Sequence, residues 1–159
     1  MCPLSARDSG LRVIEGNIES VTVAQCGPFQ AISFLDVLEH MMDPLAALRH
    51  AHTLLEPQGL LLLSVPNVGY WPVVRDLMMG RFDYLPVGIL CISHVRFFTT
   101  RSLEQLLQDA GFDLVQLRRH GPAMDEEFTR FLQATVVAGL PCNREDLATE
   151  SLHVLARAR

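Results

Sequence analysis

The stretch QAISFLDVLEHMMDPLAAL, residues 30–48, decides the fold, because it joins a strand signal closely to a helix start signal. Residues 30–35 are mostly apolar and include β-branched and aromatic side chains, which predict a strand. Asp43 is a suitable N-cap and Pro44 suits the first helical position, so we expect a helix to begin there. The stretch therefore predicts one strand-helix unit of an α/β protein.

The rest of the chain repeats this alternation of strands and helices. The apolar run GLLLLSV, residues 59–65, shows no alternation and predicts a strand buried on both faces. We predict further strands over 11–15, 112–117 and 151–156, and a long loop over 81–98. Further helices are predicted over 71–79, up to residue 110 with Thr100 as the N-cap, and over 125–138. This order predicts a mostly parallel, doubly wound sheet flanked by helices.

The composition excludes several classes of protein. The 159 residues suit one domain, and 49% hydrophobic with 19% charged residues excludes a disordered or coiled-coil chain. No apolar run reaches the ~18 residues of a membrane span. The net charge of −5, without a basic cluster, argues against binding a nucleic-acid backbone. Four cysteines without CxxC spacing indicate reduced thiols, so we expect a cytoplasmic protein that binds neither nucleic acid nor membrane.

The residues that follow the first strand of this unit are candidates for chemistry. In parallel α/β sheets, ligands bind beyond the carboxyl ends of the strands. Asp36, Glu39 and His40 stand there at i, i+3 and i+4, which one helical turn would place on the same face. Such a set can hold a divalent cation, or it can tune His40 as a general base. The alternative is a helix N-terminus that favours acidic residues, beside a surface histidine.

Three motifs together carry a resemblance to a known family: DVLEH at 36–40, PQGLLLLSVPN at 57–67 and HVRFFT at 94–99. With them, the chain from about residue 13 to its end resembles the class I S-adenosylmethionine-dependent methyltransferases, in the branch of the ubiquinone-biosynthesis O-methyltransferases. The resemblance implies a Rossmann-like fold in which residues 30–35 form the fourth of seven strands and the last strands are antiparallel. It also implies S-adenosylmethionine as the cofactor.

The resemblance further assigns roles to individual residues, which we take as expectations. The residues along the cofactor would be Asn17, Ile18, Leu35 and Asp36. His40 and Glu39 would be the catalytic pair that helps to deprotonate the methyl acceptor. Alternatively, Mg²⁺ or another divalent ion would orient the acceptor, held by Asp36, Glu39, His40 and His94.

Three residues are candidates for contact with the substrate: Asn67, His94 and Arg96. Each has an alternative role. Asn67 could instead satisfy the turn at Pro66, and His94 could only close the pocket by a hydrogen bond. The stem of Arg96 could pack on a neighbouring phenylalanine.

The glycine-rich cofactor turn of the family has no counterpart among the ten glycines, since the sequence contains no GxG. We therefore expect residues 1–159 to form a single partial methyltransferase domain, truncated at its N-terminus and holding strands three to seven. The fourth strand would then expose an edge, and exposed edges seek partners. We expect either that residues 11–15 collapse against 32–35, or that a homodimer or a complementing N-terminal half forms through this edge.

Two hypotheses about function follow. The first is S-adenosylmethionine-dependent methyl transfer to a small molecule, at a hydroxyl group, in the full-length or assembled form. The alternative is an inactive methyltransferase-like fragment or interaction module that does not bind the cofactor on its own.

Overall fold

The computed structural model describes residue 10, residues 13–123 and residues 125–159. In these ranges it has four strands: β1 (Phe29–Leu35), β2 (Leu55–Pro66), β3 (Phe112–His120) and β4 (Ser151–Ala158). The α-helices are α1 (Val23–Cys26), α2 (Pro44–Leu54), α3 (Trp71–Met78), α4 (Thr100–Asp109), α5 (Glu126–Val137) and α6 (Arg144–Ala148). Two 3₁₀ turns lie at Ile18–Ser20 and Leu38–His40. None of these helices is long and apolar enough to cross a membrane.

The helix starts follow the local signals in the sequence. The side chain of Asp43 accepts a hydrogen bond from the amide of Ala46 at 2.9 Å, and Pro44 opens α2, as predicted. The cap of α4 is Thr99, one residue earlier than predicted, because Thr99 and Ser102 form a reciprocal capping box. Helices α1 and α6 were not predicted; both are short, and short helices carry too little periodicity to detect.

The sheet has the order β1-β2-β4-β3. Strands β1 and β2 are parallel, with Ile32 opposite Leu61, whereas β4 runs antiparallel to both β2 and β3. The predicted antiparallel end of the sheet is therefore confirmed. Because β1 and β2 are parallel, their carboxyl ends lie at the same edge, and the start of the antiparallel strand β4 reaches that edge too.

The core lies on one face of the sheet. Alternate residues of β2, Leu61, Leu63 and Val65, are buried there against Leu48 of α2 and Leu103 of α4. The opposite face is more open, since Leu62 keeps 42% and Leu35 63% of its surface exposed. The prediction that residues 59–65 are buried on both faces is therefore wrong, because α2 and α4 both pack on the same side.

The expected strand over residues 11–15 is not seen in its described part. Residues 13–15 are not assigned to a strand, and Leu11 and Arg12 lie outside the described residues. Gly16, with φ of +140°, turns the chain into the 3₁₀ turn Ile18–Ser20, where Ile18 packs against the core beside α2. In the described ranges, β1 pairs with β2 alone.

Candidate functional site

Strand β1 ends in a turn that holds Asp36 at the edge of the sheet. Asp36 has φ of +53°, a left-handed conformation that aspartate tolerates better than most residues. Its amide donates to the carbonyl of Ser64 at 3.1 Å, and the Ser64 hydroxyl donates to Asp36 Oδ1 at 2.8 Å. The two parallel strands thus fix this carboxylate between them, with the residue itself exposed.

The sequence DVLEH forms a 3₁₀ turn, Leu38–His40, and not the helical turn that the spacing predicted. Because Asp36 lies before this turn in a left-handed conformation, the three side chains do not share one helical face. Glu39 points inward and is 1% exposed, whereas its neighbour His40 is exposed. The predicted i, i+3, i+4 arrangement is therefore wrong, although Glu39 and His40 still reach the same site.

The long loop over 81–98, confirmed as irregular, is tied to this turn by its backbone. The carbonyl of Glu39 accepts hydrogen bonds from the amides of Val95 at 2.8 Å and Arg96 at 3.0 Å. These bonds bring His94 beside His40, with ring centroids 4.7 Å apart and an interplanar angle of 77°. A residue more than fifty positions along the chain thus joins the same site.

Glu39, His40 and His94 form a cluster with the composition of a metal site. Each offers one ligand atom, and these atoms all lie within 4.8 Å of one another. The Nδ1 atoms contact backbone carbonyls, that of His40 at Ser93 (3.0 Å) and that of His94 at Ile89 (2.8 Å). Since a carbonyl only accepts, Nδ1 carries the proton in these contacts, and Nε2 of a neutral ring keeps its lone pair. Such outer contacts orient histidines in metal sites.

The buried position of Glu39 disfavours the charged form of its carboxyl group. Its Oε2 is buried and has no hydrogen-bond partner in the structure. Burial, reinforced by the negative charge of Asp36, raises the pKa of Glu39 above the usual carboxyl range, while a backbone hydrogen bond and the two histidines oppose this rise. A buried acceptor without a partner is rare in folded proteins, so this atom points to a ligand that supplies a positive charge.

The cluster opens into a cavity of about 320 Å³, which is room for a small molecule. Its polar lining consists of Asp36, Glu39, His40, His94, Glu150 and Ser151. The last two precede and begin β4, and sequence reasoning missed them. The predicted antiparallel end of the sheet could have indicated them, because an antiparallel strand brings its first residues to the edge where the parallel strands end.

Asn67 has a structural role, and its contact with the substrate stays a prediction. The residue is 0% exposed. Its Nδ2 donates to the carbonyls of Asp146 at 2.8 Å and Thr149 at 2.7 Å, and its Oδ1 accepts from the amide of Gly69 at 2.9 Å. The structure supports the alternative that its amide satisfies the local turn. The same side chain also binds the backbone at the junction of α6 and β4.

Arg96 and Asp36 both have polar partners within the protein. The guanidinium of Arg96 donates to the carbonyls of Met42 and Val95, and the residue does not line the cavity. It is therefore not placed to bind an anionic substrate. Asp36 lines the cavity but is not among the three residues whose ligand atoms cluster, because Ser64 holds its carboxylate. His94 lines the cavity, and its Nδ1 contacts the carbonyl of Ile89, which also lines it.

The remaining residues expected along the cofactor are Leu35, Asn17 and Ile18. Leu35 ends the strand and is 63% exposed, an unusual position for a large apolar side chain next to a cavity. Asn17 precedes the turn that contains Ile18 and is exposed. These positions remain predictions for the cofactor site.

The sequence of the chain is similar to sequences of known methyltransferases. Residues 5–117 match the model of a family described as a methyltransferase domain. A ubiquinone biosynthesis O-methyltransferase of Ruegeria pomeroyi is 30% identical over 123 residues, which are 70% of this chain and 46% of that protein. The chain thus spans about half the length of the curated relatives that it matches.

Solved structures give the same picture of the fold. An S-adenosylmethionine-dependent methyltransferase from Archaeoglobus fulgidus is similar with a TM-score of 0.62 and 11% identity, over 97% of this chain and 71% of that chain. The 1,6-didemethyltoxoflavin-N1-methyltransferase of Burkholderia thailandensis, solved with S-adenosylhomocysteine, gives 0.55 and 18%, over 98% and 55%. At these identities the likeness concerns the fold alone, and it confirms the α/β fold predicted from the sequence.

Proposed function

This chain belongs to the methyltransferase domain family, and on that premise we propose that it carries the acceptor side of an enzyme that transfers a methyl group from S-adenosylmethionine to a hydroxyl of a small molecule. The observation that carries the proposal is the buried carboxylate of Glu39, grouped with His40 and His94 in a cavity at the carboxyl ends of β1 and β2. The volume of the cavity suits a small molecule. The net charge of −5 makes the chain a poor partner for nucleic acid.

The cofactor would lie at the end of β1. The residues proposed to contact it are Asn17, Ile18, Leu35 and Asp36. Leu35 offers an exposed apolar surface for a planar group, and the exposed Asp36 carboxylate can accept hydrogen bonds from a hydroxyl or an ammonium group. Because the sequence contains no GxG, these residues make only part of a cofactor site, and the rest belongs to whatever covers the outer edge of β1.

Glu39, His40 and His94 would hold a divalent ion. Their donors fit one, since the Oε2 of Glu39 has no other partner and both Nδ1 atoms are already engaged. Two imidazoles with one carboxylate favour Mn²⁺, Co²⁺ or Zn²⁺ over Mg²⁺, which prefers oxygen ligands. When bound, such an ion orients the acceptor hydroxyl and favours its deprotonated form. In its absence, Nε2 of His40 is the group placed to accept that proton.

We also propose that a second copy of the chain covers the open side of the sheet. Strand β1 pairs only with β2 in the described ranges, which leaves its outer edge open. Leu35 of β1 and Leu62 of β2 are exposed on the face of the sheet opposite the core. A symmetric contact between two copies would bury the same residues of each protomer. A complementing polypeptide that supplies a strand and a helix is the other way to cover this face. A cytoplasmic location remains part of the proposal.

Calorimetric titration with S-adenosylhomocysteine, with sedimentation velocity on the same samples, tests this function. We expect micromolar binding at protein concentrations at which the chain is dimeric, and about tenfold weaker binding by Asp36→Asn, which loses one charged acceptor. Glu56→Gln, at the start of β2 and far from the cavity, is the control with the same change in net charge. A monomer at all concentrations would favour a separate complementing half, and no heat at millimolar ligand would favour an inactive interaction module.

A further inference from the structure

The segment that begins β4 is fixed in place beside the cavity. The carbonyl of Glu150 accepts from the amide of Asn67 at 2.8 Å, and its own amide donates to the carbonyl of His120 at 2.8 Å. The preceding carbonyl, that of Thr149, accepts from the buried side chain of Asn67. Hydrogen bonds from two different strand ends therefore hold the backbone of Glu150, whose side chain is exposed and lines the cavity.

The charges around the cavity are of one sign. Among the residues that the structure describes, its lining contains three carboxylates, those of Asp36, Glu39 and Glu150, and no arginine. The chain has no lysine at all, so arginine is its only permanently cationic residue. Arg96, the arginine nearest in sequence to His94, donates to backbone carbonyls instead. One divalent ion at the histidines would not reverse this balance, because two of the three carboxylates lie outside the ligand cluster.

A further observation indicates that this acidic cavity binds a ligand. Glu39, which lines the cavity, is 1% exposed, and its Oε2 has no hydrogen-bond partner among the described residues. A buried carboxylate oxygen of this kind favours a ligand that carries a positive charge or donates a hydrogen bond.

We propose that Glu150, held at the start of β4 across the cavity from Glu39, His40 and His94, is a specificity-determining residue that admits cationic and uncharged acceptors and rejects anionic ones. The inference rests on the proposed function for its meaning, since it names the class of acceptor. A carboxylate or phosphate in this cavity would lie near like charges without an arginine to pair with. An amine or a phenol would meet no such repulsion.

Three small probes of nearly equal shape test the charge preference without methyl transfer: benzylamine, benzyl alcohol and benzoate. Each is titrated into isotope-labelled protein while the amide shifts of Glu150 and Ser151 are followed by NMR. We expect benzylamine to bind about tenfold more tightly than benzoate, with benzyl alcohol between them. In Glu150→Gln the ratio should fall clearly below tenfold without reaching one, because Asp36 and Glu39 remain in the cavity. Glu150→Asp should preserve the ratio, and Glu56→Gln controls for net charge.

The proposal is overturned if benzoate binds as well as benzylamine, if Glu150→Gln keeps the original ratio, or if none of the three probes shifts these amides at millimolar concentration. Failure of the proposed function has a different signature. In that case S-adenosylhomocysteine would not bind, while the preference among the three probes and its dependence on Glu150 would persist.

Discussion

We expect Asn67→Ala to lower the free energy of unfolding by about 3 kcal/mol, because it removes three buried hydrogen bonds worth roughly 1 kcal/mol each. The side chain joins the end of β2 to Asp146, Thr149 and Gly69 and is completely buried. Its loss takes the donor from the carbonyl of Thr149 at the junction of α6 and β4, whereas the carbonyl of Asp146 still accepts from the amide of Thr149 at 3.1 Å. Chemical denaturation of the variant and the parent protein measures the difference.

Asn143→Ala is the matched control for this prediction. Asn143 caps α6 at the same junction, where its exposed side chain accepts from the amide of Asp146 at 3.2 Å. Loss of such a cap costs about 1 kcal/mol. If Asn67→Ala is no more destabilising than Asn143→Ala, then the buried amide does not hold this junction as the structure indicates.

The second large effect concerns Glu39. We expect Glu39→Gln to abolish metal binding without lowering the stability of the metal-free protein. The substitution removes a buried charge without a partner, so the metal-free variant should be at least as stable as the parent. The parent should gain about 2.7 kcal/mol at a Mn²⁺ concentration 100-fold above its dissociation constant, seen as a rise in Tm, and the variant should gain almost nothing. Thermal unfolding with and without Mn²⁺ measures both effects.

His94→Ala and Glu56→Gln complete this comparison. His94→Ala removes one of the three ligand atoms and should also abolish the gain in Tm. Glu56→Gln changes the net charge equally but lies at the start of β2, so it should keep the full gain. A parent protein whose Tm does not respond to Mn²⁺, Co²⁺ or Zn²⁺ would mean that the cluster does not bind a metal ion.

The parts of the fold that could be predicted are those with local causes. Asp43 and Pro44 fix the start of α2 through one side-chain hydrogen bond and one constrained dihedral, and both are visible in the sequence. The strands over 30–35, 112–117 and 151–156 follow from short apolar segments between turn residues. The burial of one face of β2 and the exposure of Leu62 on the other depend on where α2 and α4 pack, which no local pattern states.

In the candidate site, too, some residues could be predicted from the sequence and some contacts could not. Glu39, His40 and His94 were found from the motifs, although the turn that presents them is a 3₁₀ turn. The contacts of Asn67 with Thr149 and Glu150 were not predicted, because they join residues about eighty positions apart. The carbonyls of Ser93 and Ile89, which orient the two histidines, are backbone groups that carry no signal in the sequence.

Methyl transfer itself is the decisive test of whether this cavity is the acceptor side of a methyltransferase. The measurement is transfer of a labelled methyl group from S-adenosylmethionine to catechol in the presence of Mn²⁺, at a concentration where the chain is dimeric. We predict labelled product with the parent protein and at least about 100-fold less with Glu39→Gln. Equal product from the two proteins, or none from the folded dimer that binds S-adenosylhomocysteine with any hydroxyl acceptor tried, would contradict the claim.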